Sequence, residues 1–180
     1  MSILSDGEIA WYRSEGLLGI DPVPGDDQLQ PASVDLRLGP QFREYHVGKT
    51  ISSREGAKMS EWTSDSVLVK PGAFLLAHTM ERVRIPADLV GVVDGRSSYG
   101  RLGIMVHITA GYIDPGFDGQ ITLEVHNVSP NWVRLFVGDR VCQIRFHRMM
   151  QAAKRPYAGK YQGDTGAVTS RSYQDRKQEE

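Results

Sequence analysis

Apolar and polar residues alternate over short stretches of this chain. Val34, Leu36 and Leu38 take every second position and Asp35 and Arg37 fill the gaps, a period of two that predicts a half-buried β-strand. Further short strands are predicted at 67–69, 74–77, 89–93, 105–108, 120–128, 133–136 and 140–146, with Gly or Pro in most of the gaps. Ser5 followed by Glu8 has the spacing of a capping box, so a short helix is expected there, carrying Ile9, Trp11 and Tyr12 and ending near Gly16. The only other helical turn predicted covers 98–102. Pro22, Pro24 and Gly25 mark 21–27 as turns, and the charged stretch 49–65 reads as a surface excursion. Many short strands and little helix predict a mainly β fold, a sandwich or distorted barrel. From about 152 the chain turns polar and charged, which predicts a mobile tail that gains order only against something else.

The length of 180 residues suits one domain over 1–180 with a core of its own. With 40% apolar and 24% charged residues, it falls among soluble globular proteins. Lys plus Arg number 21 and Asp plus Glu 22, so no global positive field gathers nucleic acid or an anionic membrane. An anionic ligand must be held by a local cluster of donors. The single cysteine, Cys142, forbids a disulfide within the chain and a Cys-rich zinc site. Residues 1–10 include Asp6 and Glu8 and no long apolar run, so neither a signal peptide nor a membrane span is expected there, and the cytoplasm is the default compartment.

The densest candidate chemistry lies between Gly95 and Asn127. Arg96, Ser97, Ser98, Tyr99, Gly100 and Arg101 combine small residues, which let a ligand approach the backbone, with hydroxyl and guanidinium donors suited to phosphate oxygens. Alone, such a tract is as readily a solvated turn. Ala110-Gly111-Tyr112-Ile113-Asp114-Pro115-Gly116 follows, with Asp114 at a turn. In the next strand Ile121, Leu123 and Val125 share one face, which leaves Thr122 and Glu124 facing a cleft or solvent. Gln143 is likewise opposite Cys142 and Ile144. The five histidines are scattered, and no His-Glu-x-x-His pattern occurs, so a catalytic transition metal is not expected.

The ordered set carries more weight than any member. Gln30-Pro31-Ala32-Ser33-Val34-Asp35-Leu36-Arg37-Leu38-Gly39, the Gly-Arg-Ser-Ser turn, Thr109-Ala110-Gly111-Tyr112-Ile113-Asp114-Pro115-Gly116-Phe117, Ile121-Thr122-Leu123-Glu124 and Lys160-Tyr161-Gln162-Gly163 together resemble the dCTP deaminase family. That family shares its fold with the trimeric dUTPases. The resemblance runs from Leu4-Ser5-Asp6 to Ser170-Arg171-Ser172-Tyr173.

The resemblance implies a distorted β-barrel or jelly-roll of the trimeric dUTPase-like fold, with a short N-terminal helix and a tail, about 152–180, that closes over the nucleotide. It implies hydrolysis of dCTP to dUTP and ammonia, with dUMP supplied for thymidylate synthesis if a second step follows. Glu124 would be the general base, Ser97 and the Ala110 carbonyl would hold the water, and Arg101 would orient Glu124. Bulk water has a pKa of ~15.7, and zinc enzymes lower it to about 7 with their metal. The His-x-Glu and Pro-Cys-x-x-Cys signature of zinc deaminases is missing here, so positioning and a dry pocket must serve instead. Arg96, Ser97 and Ser98 would grip phosphates, Asp114 would meet the sugar, Thr122 and Gln143 the pyrimidine, and Leu123 would also be among the nucleotide-binding residues. Tyr157, Lys160 and Gln162 belong to the closing tail. Asp164 departs from the pattern, because family tails commonly carry Gln there; a carboxylate does not favour phosphate contact, and it is left out of the site. Mg²⁺ would arrive on the triphosphate. A homotrimer with sites shared between subunits, and dTTP as an inhibitor acting near 107–109, are also implied. Gly111 and Tyr112 resemble the type that goes on to cleave dUTP to dUMP and diphosphate. A dUTPase without deaminase activity and a non-catalytic nucleotide sensor are the alternatives; a nucleic-acid binder fits least.

Overall fold

The computed structural model describes residues 2–176. Met1 and residues 177–180, the end of the tail read from the sequence, lie outside the described residues. The elements run β1 (Ser2–Ile3), α1 (Asp6–Ser14), β2 (Gly19–Asp21), β3 (Leu29–Gln30), β4 (Ser33–Arg37), β5 (Gln41–Tyr45), β6 (Met59–Thr63), β7 (Ser66–Val69), β8 (Phe74–Arg84) and β9 (Leu89–Gly95). Then come α2 (Ser97–Gly100), β10 (Ile104–Met105), β11 (Tyr112–Ile113), β12 (Asp118–Asn127), β13 (Val133–Phe136), β14 (Arg140–Arg148) and a 3₁₀ turn at Ser172–Arg176. No helix among the described residues is long and apolar enough to cross a membrane.

The expected capping box is present. Ser5 Oγ accepts from the Glu8 N–H, and the Glu8 side chain accepts from the Ser5 N–H. The strands form two six-stranded sheets and a two-stranded ribbon. One sheet is ordered β11-β9-β14-β4-β3, with β1 also on β14; the other is β10-β12-β8-β5-β6, with β2 also on β8; β13 pairs with β7. An isolated bridge from Leu38 to Thr79 joins the two sheets. Val34, Leu36, Ile144 and Phe146 from one sheet meet Val83, Leu123 and Val125 from the other in a single core. The fold is therefore mainly β, with two discrete sheets instead of one closed barrel.

Several boundaries differ from the sequence reading. The strand expected at 105–108 ends at Met105, because residues 106–111 leave the sheet as a loop. The strand expected at 74–77 continues to Arg84, since both faces of β8 are covered and polar residues can be buried with partners. The stretch 49–65 is not all excursion: β6 pairs along its length with β5, from Gln41 opposite Thr63 to Tyr45 opposite Met59. Strand β4 is buried on both faces, not one. Its polar face packs Asp35 toward Arg96 and Arg140, and the backbone and guanidinium of Arg37 against the fully buried Glu81.

Candidate functional site

Strand β12 carries the central feature. Its burial alternates residue by residue, with Ile121, Leu123 and Val125 in the core and Thr122 and Glu124 on the other face. A bulge between Gln120 and Thr122 interrupts pairing with β8, and the Thr79 hydroxyl accepts the freed Ile121 N–H at 3.0 Å. Beyond the bulge Glu124 stands opposite Leu76. The Ile108 N–H donates to Glu124 Oε2 at 2.8 Å, and the Glu124 N–H donates to the Val106 carbonyl at 3.0 Å. The 106–111 loop thus orients the carboxylate. Gly111 keeps that loop close to β9: a Cβ there would lie 2.7 Å from the Val93 carbonyl oxygen.

Glu124 opens into a cleft of about 540 Å³. Of the residues singled out from the sequence, the cleft gathers Ala110, Tyr112, Asp114, Thr122, Glu124, Tyr157 and Lys160. Tyr45, Phe74 and Leu76 add an apolar wall, and Phe117, whose N–H donates to the Asp114 carbonyl at 3.1 Å, also lines the cleft. Tyr45 stacks on Phe74 with ring centroids 6.1 Å apart. Burial raises the Tyr45 hydroxyl pKa above its ordinary value, and the nearby Tyr161 and Glu124 add to this.

A second, smaller cleft of about 420 Å³ holds Arg96, Ser97, Ser98 and Gln143, together with Gln30, Ser33 and Asp35. Asp35 is 1% exposed, and neither of its carboxylate oxygens has a hydrogen-bond partner. Arg96 Nε lies 3.1 Å from it and Arg140 Nη1 3.6 Å. Burial raises the Asp35 pKa, and the two guanidinium groups oppose that rise. Arg96 also donates through Nη1 to the Arg140 carbonyl at 2.9 Å, so its head group is held in place.

The two clefts divide the expected site. Gln143 sits with the serine and arginine donors at the β4–β14–β9 junction, opposite Asp35 and Asp94, in a different cleft of the chain from Thr122. Leu123 turns its side chain into the core, which leaves only its backbone for any ligand. Tyr99 packs against the core near Asp139; burial, with help from that carboxylate, pushes its pKa up to about 12. Gly100 and Arg101 are exposed beyond the second cleft, and Arg101 makes no ion pair among the described residues, with Glu124 or otherwise. Gln162 staples the chain: it donates to the Gly116 carbonyl and accepts from the Asp118 N–H.

Residues 152–176 find their partners on the body of the same chain. The Val168 N–H donates to Thr122 Oγ1 at 3.1 Å, the Ala167 N–H to Gln41 Oε1 at 2.8 Å, and Ala167 is fully buried. Sequence reasoning missed Tyr45, Asp35 and Ser33 as lining residues. Asp35 and Ser33 stood inside a quoted motif, and a carboxylate between buried apolar neighbours was the available signal; Tyr45 lay in a segment with no clear period.

Two β-sheets around one core, with a largely apolar cleft at Glu124 and a polar one at Arg96, define a fold that solved dUTPases share. A 2′-deoxycytidine 5′-triphosphate deaminase from Agrobacterium tumefaciens superposes with a TM-score of 0.65 at 28% identity over 80% of this chain; the chain spans 47%, about half, of that longer one. The native EIAV dUTPase superposes with a TM-score of 0.52 over 79% of this chain and 98% of its own, and at 17% identity it shows the fold alone. The chain belongs to the dCTP deaminase-like family, whose model matches residues 3–149. It is 43% identical to the "dCTP deaminase, dUMP-forming" of Methanosphaera stadtmanae, over 97% of this chain and 96% of that one. It is 46% identical, with the same coverage, to the "dCTP deaminase, dUMP-forming" of Methanothermobacter thermautotrophicus.

Proposed function

We propose that this protein deaminates dCTP and carries the product on to dUMP and diphosphate. The observation that carries the reading is Glu124, set in a cleft with one carboxylate oxygen fixed by the Ile108 N–H and the Ala110 backbone nearby. Glu124 takes a proton from water, the water oxygen bonds to cytosine C4, and the C4–N bond breaks as protons pass to N3 and the departing ammonia. Water held between the carboxylate and the Ala110 carbonyl is positioned for that attack. Hydrolysis follows at the α-phosphate: a second water bonds to the α-phosphorus, its bond to the bridging oxygen breaks, and diphosphate leaves, with Asp114 in the same cleft available to take the water's proton. Names of relatives that include dUMP formation, across full-length alignments, support the second step.

Arg96, Ser97, Ser98 and Gln143 form the donor cluster for the triphosphate. Mg²⁺ enters on the phosphates, screening their charge, while Asp35, paired with Arg96 and Arg140, holds those guanidinium groups at the edge of the cluster. Glu124 and Ser97 line different clefts of one chain, which supports a site completed between the subunits of a homotrimer. Leu102, Met105, Ile108 and Val128, exposed around α2 and β10, are suited to being covered by a neighbour. The 107–109 segment, which bears on Glu124, is where a dTTP inhibitor would act. A reducing cytoplasm suits the lone, buried Cys142.

Chromatography of products from dCTP and Mg²⁺ tests the reading. Ammonia, dUMP and diphosphate in equal amounts are expected. Accumulated dUTP contradicts the second step, and dUTP cleavage with dCTP untouched favours the dUTPase alternative.

A further inference from the structure

Asp164 was unpromising as a site residue because its carboxylate should repel a polyphosphate. The structure gives it a cationic partner. Arg171 places both ends of its guanidinium fork on the Asp164 carboxylate, Nη1 to Oδ2 at 2.8 Å and Nη2 to Oδ1 at 2.9 Å. A planar fork on a carboxylate is the strong, geometrically specific form of ion pair. It is also partly shielded, since the Asp164 and Arg171 side chains are 16% and 27% exposed.

The pair closes a loop. Arg171 reaches back to the Lys160 carbonyl through Nη1, its N–H donates to the Tyr161 hydroxyl at 2.9 Å, and its guanidinium lies over the Tyr161 ring. The middle of the loop is tied to β12: the Gln120 N–H donates to the Asp164 carbonyl at 2.9 Å, and the Gly166 N–H to Gln120 Oε1 at 2.7 Å. Held in this way, Lys160, Tyr161, Asp164, Val168, Thr169 and Ser170 form one wall of the Glu124 cleft.

We propose that Asp164 is a positioning residue for nucleotide binding. It clasps Arg171, fixes the 160–171 loop as the closed wall of the cleft, and has its own charge neutralised before the triphosphate arrives. This inference rests on the proposed function for the identity of the nucleotide but not for the clasp itself. In the intact protein, Asp164→Ala raises the KM for dCTP about tenfold and leaves kcat within about threefold. Trypsin then cuts after Lys160 and Arg171 about tenfold faster. Asp164→Asn, which keeps the shape and one acceptor, gives smaller changes of the same kind and guards against a folding defect in the alanine variant.

Exchanging the pair, Asp164→Arg with Arg171→Asp, restores KM and protease resistance toward the parent values. Calorimetric titration with dCTP and with dUTP follows binding without turnover. Inactive parent protein that still binds nucleotide, and loses that binding in Asp164→Ala, would therefore fault the reaction and keep the clasp. The clasp is overturned if Asp164→Ala binds and resists trypsin like the parent. It is overturned equally if Arg171→Ala weakens binding and Asp164→Ala does not, because Arg171 would then act on the nucleotide directly.

Discussion

Glu124 owes its orientation to a backbone donor, the Ile108 N–H, and to the close packing of the loop that carries it. Gly111 is the weak point of that loop, because a methyl group would meet the Val93 carbonyl oxygen at 2.7 Å. Gly111→Ala should lower the rate of ammonia release at least tenfold while the melting temperature falls only modestly, an expected cost of ~1–3 kcal/mol for overpacking. A second residue-scale test concerns His78. Its ring is buried, with Nδ1 against the Thr79 carbonyl and Nε2 accepting the Gln41 N–H at 3.3 Å. Burial holds its pKa below the ordinary 6.5, the Thr79 carbonyl only partly opposing. The unfolded chain therefore takes up this proton more readily than the folded one. The stability that His78 contributes is complete above pH 6.5 and is lost as pH falls through its lower folded value. Denaturant midpoints should drop between neutral pH and about pH 5 in the parent, and His78→Asn should flatten that drop. Single residues were partly legible in the sequence. Glu124 follows from strand alternation, whereas Asp35 was quoted but given no role, because alternation cannot reveal that the polar face of β4 is also covered.

Among the elements, α1 was the clearest in the sequence, since its cap is a local hydrogen-bond pattern and needs no tertiary partner. Ser5→Ala removes the acceptor for the Glu8 N–H and should cost about 1 kcal/mol in equilibrium denaturation. An unchanged midpoint would mean that packing of Ile9 and Tyr12 alone holds the helix. The long strands β12 and β14 were also legible, each having one apolar face in the shared core. The two-residue strands β1, β3 and β11 were not, because a bridge that short is made by its partner and leaves no periodicity, and β10 was expected only as a longer strand at 105–108. The β5–β6 hairpin was hidden for a related reason. Its residues are mostly polar and half-exposed, and Phe42 alone is fully buried against Trp62. The polar tail could not disclose its fixed path, because its partners, Gln41, Gln120 and Thr122, are side chains far away in sequence.

The molecule as a whole presents two clefts, and the proposed reaction draws on residues from both. The dUTPase-like architecture and the family were legible because motifs from the whole length occur in order. How the site residues divide between the clefts was not, since sequence order says nothing about which strand face meets which. If the site forms between subunits, two inactive variants can complement each other. Ser97→Ala and Glu124→Gln proteins, mixed under conditions that allow subunit exchange, should recover roughly a quarter of parental activity, the share of interfaces pairing two intact halves. No recovery after demonstrated exchange would place both halves on one chain.

The account depends most on Glu124 acting as the base for attack on cytosine C4. Ammonia release from dCTP in a single turnover, compared between the parent and Glu124→Gln, measures this directly. With dCTP binding retained in both, the variant should be slower by about 10²–10⁴-fold. Release at the parental rate would contradict the assignment.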